Sequence, residues 1–137
     1  MKILLCCGGG FSSSYLANKV QNEIDDMGKG DEVSITFLPF DNGCEVMDEY
    51  DVMICCPHLD IYVKKLTQEN KDLPIPIYVL PPKIYGNLQA KDIIPDCEDV
   101  IEMFKAGMPN PIHFEGEERV LRIRRDCSYR EYVQKKA

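Results

Sequence analysis

The sequence predicts an α/β domain: a four-stranded parallel sheet in the order 2-1-3-4, flanked by helices on both faces and followed by a short C-terminal extension. Three observations predict it. Short apolar runs alternate with stretches of helical periodicity. The first, third and fourth runs are apolar almost throughout, as strands are when helices cover both faces of a parallel sheet. The second run carries Ser34 and Thr36, and Pro74 and Pro76 flank the start of the fourth, so both suit sheet edges. The first strand then lies inside, and the strand order reverses at its C-terminal end, which is where open α/β sheets bind ligands.

The elements follow in order. Ile3-Leu4-Leu5-Cys6 is the first strand and ends at Gly8-Gly9-Gly10. Leu16, Ala17, Val20, Ile24 and Met27 then share one helical face, and Gly28 and Gly30 stop that helix. Val33 to Leu38 alternates as a half-buried strand. Val52 to Cys56 is the third strand, closed by Pro57, and Leu59, Tyr62, Val63 and Leu66 give the next helical stripe. Ile75 to Leu80 is the fourth strand, closed by Pro81-Pro82. Cys97, Val100, Ile101 and Phe104 form a last stripe, with Asp96 placed to cap its start and Gly107 just past its end.

Composition bounds the function. The chain has 137 residues, 45% hydrophobic and 28% charged, which fits one ordinary globular domain and excludes wholesale disorder. A net charge of -7 argues against nucleic acid as a partner. Apolar runs are far shorter than the roughly 20 residues of a membrane span, so direct membrane insertion is not expected. The N-terminus lacks the apolar length of a signal peptide. Seven cysteines, an odd number, then suit reduced thiols in the cytoplasm better than a disulfide framework. Neither a cofactor nor a metal is expected, because vicinal cysteines on a strand point to opposite faces.

The balance of charge changes near the end. Residues 1–107 read as the domain and residues 108–137 as a basic extension, set off by Pro109-Asn110-Pro111. From Glu117 to Ala137 seven basic residues stand against four acidic ones. The apolar stretches at 112–114 and 120–124, around Glu115-Gly116-Glu117, can pair as a small hairpin. Such a segment either packs on the domain as a solvated face or serves as a docking arm for an acidic partner or an anion.

Cys7-Gly8-Gly9-Gly10-Phe11-Ser12-Ser13-Ser14 carries the chemistry. Glycines let backbone amides converge, and the head of a helix adds unpaired N–H groups and the positive end of its dipole. Together they make an anion cradle suited to a phosphoryl group. The same field favours a thiolate. At an ordinary pKa of about 8.5 only about 3% of a thiol is ionised at pH 7, whereas at about 6 the fraction is about 90%. Cys7 is therefore the candidate nucleophile, with Gly8 to Ser14 around its phosphate. The loop is not a Walker loop, since the Gly-Lys-Ser/Thr ending is missing. Nor does it have the three glycines of the dinucleotide fingerprint.

Two resemblances sharpen this. Low-molecular-weight tyrosine phosphatases share a related fold and loop, in which an arginine stands six positions after the cysteine. Here that position is Ser13. Without that arginine the loop suits holding a phosphoryl group more than hydrolysing its ester. The run from Ile3 to Ser14 more closely resembles the IIB components of the lactose/cellobiose class of the bacterial sugar phosphotransferase system, with their pattern of strand, Cys-x-x-Gly-x-Ser-Thr-Ser and helix. Val52 to Tyr62 is similar to the third strand and proline loop of that family, and Tyr85-Gly86 also fits. The likeness spans roughly residues 1 to 107. It implies that Cys7 accepts a phosphoryl group from a phosphohistidine on a IIA protein and passes it to a sugar bound by a IIC membrane protein. Counting the motif from Cys7 puts Gly10 and Ser12 in register, whereas counting from Cys6 does not. Cys6 then reads as a core residue. Cys56 stands in place of the family's usual glycine, His58 in place of a common glutamine, and Ser13 in place of threonine.

Three further residues are placed at the rim: His58 as a hydrogen-bond donor to the phosphate or a helix-start surface residue, and Tyr62 and Tyr85 as packing or rim groups. A bond from Cys7 to Cys55 or Cys56 is a further option, since strands one and three are neighbours. Two other functions stay open on residues alone: a phosphatase- or arsenate-reductase-like thiol enzyme, and a non-catalytic IIB-like regulator that binds a partner.

Overall fold

Alternation along buried strands builds two cores, one on each side of a single sheet. The computed structural model describes residues 1–8 and 11–136, and for residues 11–13 the backbone alone. Strands β1 (Lys2–Cys7), β2 (Ser34–Pro39), β3 (Val52–Cys55) and β4 (Ile77–Val79) are all parallel, in the order β2-β1-β3-β4. The helices are α1 (Phe11–Asp26), α2 (Phe40–Val46), α3 (Asp60–Glu69), α4 (Pro82–Gly86), α5 (Ala90–Lys105) and α6 (Tyr129–Lys136). Ile3, Leu5, Ile54 and Tyr78 face Ala17, Val20 and Ile24 of α1 and Ile93, Cys97 and Val100 of α5. Leu4, Cys6, Met53, Cys55 and Ile77 face the opposite layer, where Met47, Leu59 and Val63 pack. A one-residue slip would exchange the two sets, so the register is pinned by both layers.

Gly28 and Gly107 close α1 and α5 with φ of +75° and +106°, a conformation that suits glycine just beyond a helix. The α5 start differs from the sequence expectation. The helix begins at Ala90, runs through Pro95, and carries Asp96 inside it as a fully buried residue. Asp96 is therefore not an N-cap. Proline's missing N–H favours reading a start there, but Ala90 is held by Glu23 of α1, whose Oε1 accepts from the Ala90 N–H at 2.8 Å.

Helix α2 brings Gly43 against β1. A Cβ at Gly43 would lie 2.5 Å from Cys6 Sγ and 3.3 Å from Leu4 Cδ2. Gly43→Ala is expected to destabilise the fold by about 1–2 kcal/mol, overpacking outweighing the gain in helix propensity. Urea unfolding checks this, and adding Cys6→Ala should recover most of the loss.

The extension is packed and not free. The expected hairpin does not form: Ile112 makes one parallel bridge to Tyr78, and Val120–Arg122 is a 3-10 turn. The strand-edge bonds a hairpin would make for itself go elsewhere. Asn110 accepts from the Ile77 N–H at 2.8 Å and donates to the Ile75 carbonyl at 2.9 Å, closing the edge of β4. Arg125 is buried. Its guanidinium donates to Asp96 Oδ2 at 2.8 Å, the Cys127 carbonyl at 2.7 Å, Tyr78 Oη at 2.8 Å and Glu117 at 3.2 Å. Phe114 stacks on Tyr129 beside it, with ring centroids 4.3 Å apart.

Candidate functional site

The ladder between β1 and β3 decides which thiols meet. Cys6 pairs with Cys55, and the Cys56 N–H donates to the Cys6 carbonyl at 3.1 Å. The chain thus carries Cys56 beside Cys7 as both strands end. The two sulfurs are 2.9 Å apart and hydrogen-bonded. Tyr85 Oη, from α4, lies 3.6 Å from the Cys7 sulfur.

Burial separates the four thiols at this end of the sheet. Cys6, Cys55 and Cys56 have no exposed surface, while Cys7 keeps 9%. Burial, with the neighbouring cysteines adding to it, pushes the Cys6 thiol up to about 12 and Cys55 well above the ordinary range. Cys56 is pushed up to about 11, chiefly by burial and then by its bond to Cys7. The backbone amides of Gly8 and His58 pull the other way, because both hydrogen-bond to the Cys56 sulfur. Two N–H groups from two loops therefore converge beside Cys7. Cys6, Cys55 and Cys56 hold their protons at neutral pH.

Gly8 is exposed in a bend directly after Cys7, with open space where a side chain would stand. Gly9 and Gly10 lie outside the described residues. Phe11, Ser12 and Ser13 form the first turn of α1 by their backbone, and Ser14 is exposed on its next turn. His58 is exposed in the Pro57–Leu59 turn. It lines a groove of about 390 Å³ together with Tyr85, Pro57, Pro82, Ile61 and Leu121. Tyr62 is exposed on α3 and is not among the residues lining that groove. A larger cavity, about 690 Å³, lies among Arg119, Arg122, Tyr129 and Tyr132 of the extension, and none of the site thiols lines it. Tyr85, 3.6 Å from the Cys7 sulfur, joins the smaller groove to the thiols, although none of the thiols lines it.

Two neighbours of the candidate site were hidden in the sequence. Leu121, on the 3-10 turn of the extension, forms one wall of the groove and is 62% exposed. Cys56 was one of two possible neighbours of Cys7, and the register between β1 and β3 selects it.

A family model described as "PTS system, Lactose/Cellobiose specific IIB subunit" matches residues 2–96. Among solved structures, the chain is similar to the lactose-specific IIB component domain of the phosphoenolpyruvate:carbohydrate phosphotransferase system from Streptococcus pneumoniae. That similarity has 18% identity and a TM-score of 0.55, over 77% of this chain and 95% of that one. It is a likeness of fold. No protein of curated function matches by sequence. Among the described residues, no helix is long and apolar enough to cross a membrane.

Proposed function

Since the chain belongs to the lactose/cellobiose-specific IIB family of the sugar phosphotransferase system, we propose that it carries a phosphoryl group on Cys7. The donor is the phosphohistidine of a IIA protein, and the final acceptor is a sugar hydroxyl at a IIC membrane protein. The observation that carries this is the place of Cys7 at the end of β1, ahead of α1, where it keeps 9% exposure and the other three strand-end cysteines keep none. In the first step the Cys7 sulfur, its proton lost to solvent, attacks phosphorus. An S–P bond forms, and the N–P bond breaks to leave the imidazole. In the second step a sugar oxygen attacks phosphorus, gives up its proton, and displaces the Cys7 thiolate.

The surroundings suit both steps. Gly8 to Ser14 supply the amides and hydroxyls that would surround the phosphoryl oxygens. Cys56 keeps its proton and donates to the Cys7 sulfur whenever that sulfur is a thiolate, which makes it a better leaving group in the second step. The groove beside Cys7 offers His58 and the exposed Ile61 and Leu121 to a docking partner. Such a domain works from the cytoplasmic side, where IIA and IIC would meet it.

The test is incubation with a phosphorylated IIA protein followed by intact-mass measurement. One added phosphoryl group, lost on prior alkylation of thiols, is expected; an unchanged mass overturns the proposal. Tyr85→Phe should slow transfer by about tenfold while leaving the fold intact, because a hydrogen bond to a charged sulfur is removed. Rapid-quench phosphorylation kinetics beside a circular dichroism spectrum check it.

A further inference from the structure

We propose that Cys7 and Cys56 form a redox pair that closes to a reversible disulfide under peroxide, blocking the phosphoryl acceptor. Its consequence for transfer rests on the reading of Cys7 given above; the pair itself rests on geometry. The two residues sit side by side at the ends of adjacent parallel strands, where neighbouring chains run about 4.8 Å apart. That spacing lies inside the Cα separation a disulfide needs, about 4.4–6.8 Å. Their sulfurs are already in contact at 2.9 Å.

Access sets the order of events. Cys7 is mostly buried but keeps 9% exposure, while Cys6, Cys55 and Cys56 keep none, so the oxidant reaches it first. The Cys7 thiolate attacks one oxygen of hydrogen peroxide, the O–O bond breaks, and hydroxide leaves to be protonated as water. Cys7 becomes a sulfenic acid. The Cys56 sulfur then attacks the Cys7 sulfur, the S–O bond breaks, and a second water departs with the Cys56 proton. Two thiols have given two electrons to one peroxide. A dithiol reverses the bond through a mixed disulfide and is itself oxidised. Cys6 and Cys55 face each other one step back in the ladder, but both lie sealed between the sheet and the helices covering it. A sulfur that carries a phosphoryl group cannot be oxidised in this way, so phosphorylation and disulfide formation exclude each other.

The experiment treats the full chain with one equivalent of hydrogen peroxide and alkylates the remaining thiols. Titratable thiols should fall by two. Fragmentation of the linked peptides should place the bond between Cys7 and Cys56, and dithiothreitol should restore both thiols. Cys56→Ser should instead leave a sulfenic acid on Cys7, trapped by dimedone. Phosphate acceptance from phosphorylated IIA should drop to background on oxidation and return on reduction, and chain phosphorylated beforehand should resist the peroxide. A link between Cys6 and Cys55, or no link while Cys7 is oxidised, overturns the pair. If the bond forms but the reduced chain accepts no phosphate, the carrier reading fails and the pair stands. If phosphate is accepted and no bond forms, the pair falls alone.

Discussion

Cys7→Ser is expected to abolish phosphate acceptance from a phosphorylated IIA protein, a loss of more than about 10³-fold. The reason is the nucleophile, not the space it fills. A serine hydroxyl is close in size but stays protonated at neutral pH, where a thiol supplies far more of the nucleophilic anion. Two functional groups beside it are the Cys56 thiol, which keeps its own proton, and the Tyr85 hydroxyl. Stability should fall only modestly, since Cys7 is the last residue of β1 and serine is close to it in size, although Cys7 packs in the same core layer as Leu4 and Cys56. Intact-mass measurement after incubation with the phosphorylated donor, beside a urea unfolding curve, reads both. Cys6→Ser makes the contrast. It places a hydroxyl in a fully buried layer against Gly43 and Leu4, so it should cost stability and leave acceptance in place. Acceptance that survives Cys7→Ser but not Cys6→Ser would move the nucleophile by one residue, into the fully sealed part of β1.

That one-residue question shows what a sequence can and cannot convey. The strand order was legible because the two edge strands carry edge marks, Ser34 and Thr36 in one and flanking prolines in the other. Cys7 stood out as a candidate because a thiol, glycines and a helix head follow one another along the chain. The rest depends on residues far apart in sequence. Cys56 meets Cys7 across a separation of 49 residues through the β1–β3 register. Helix α2 contains Asn42 and Gly43, which weaken any local helical signal, and it forms because Gly43 fits against Cys6 and Leu4. The basic extension was misleading for another reason. Its charges suggest a solvated face, and most of its arginines are exposed, but Arg125 is not. Only the position of Asp96 deep in α5 reveals the partner, and from the sequence Asp96 looks like a cap.

Arg125→Ala should therefore destabilise the protein by about 3–5 kcal/mol, although it lies outside the stretch that defines the family. The side chain is 1% exposed and Asp96 is 0% exposed. Truncation leaves a buried carboxylate without its cation and orphans the Tyr78 hydroxyl and the Cys127 carbonyl at once. The reverse substitution is gentler. Burial pushes the Asp96 carboxyl above its ordinary value of 3.8 in spite of the pull from Arg125. In the window between 3.8 and that raised value the folded chain binds more protons at Asp96 than the unfolded chain does. The Asp96 contribution to stability is therefore full below the window and lost as pH rises through it. Asp96→Asn removes that slope and keeps an acceptor for the Tyr129 N–H, so its cost at neutral pH should be about 1–2 kcal/mol. The two substitutions combined should cost less than their sum, because the second no longer breaks a pair. Urea midpoints of the four proteins, measured across the acid range and at pH 7, check the cycle. A cost for Arg125→Ala below about 1 kcal/mol would mean that the extension rests on the domain without bracing it. A full cost would make residues beyond the family stretch part of what holds Tyr78 and β4 in place.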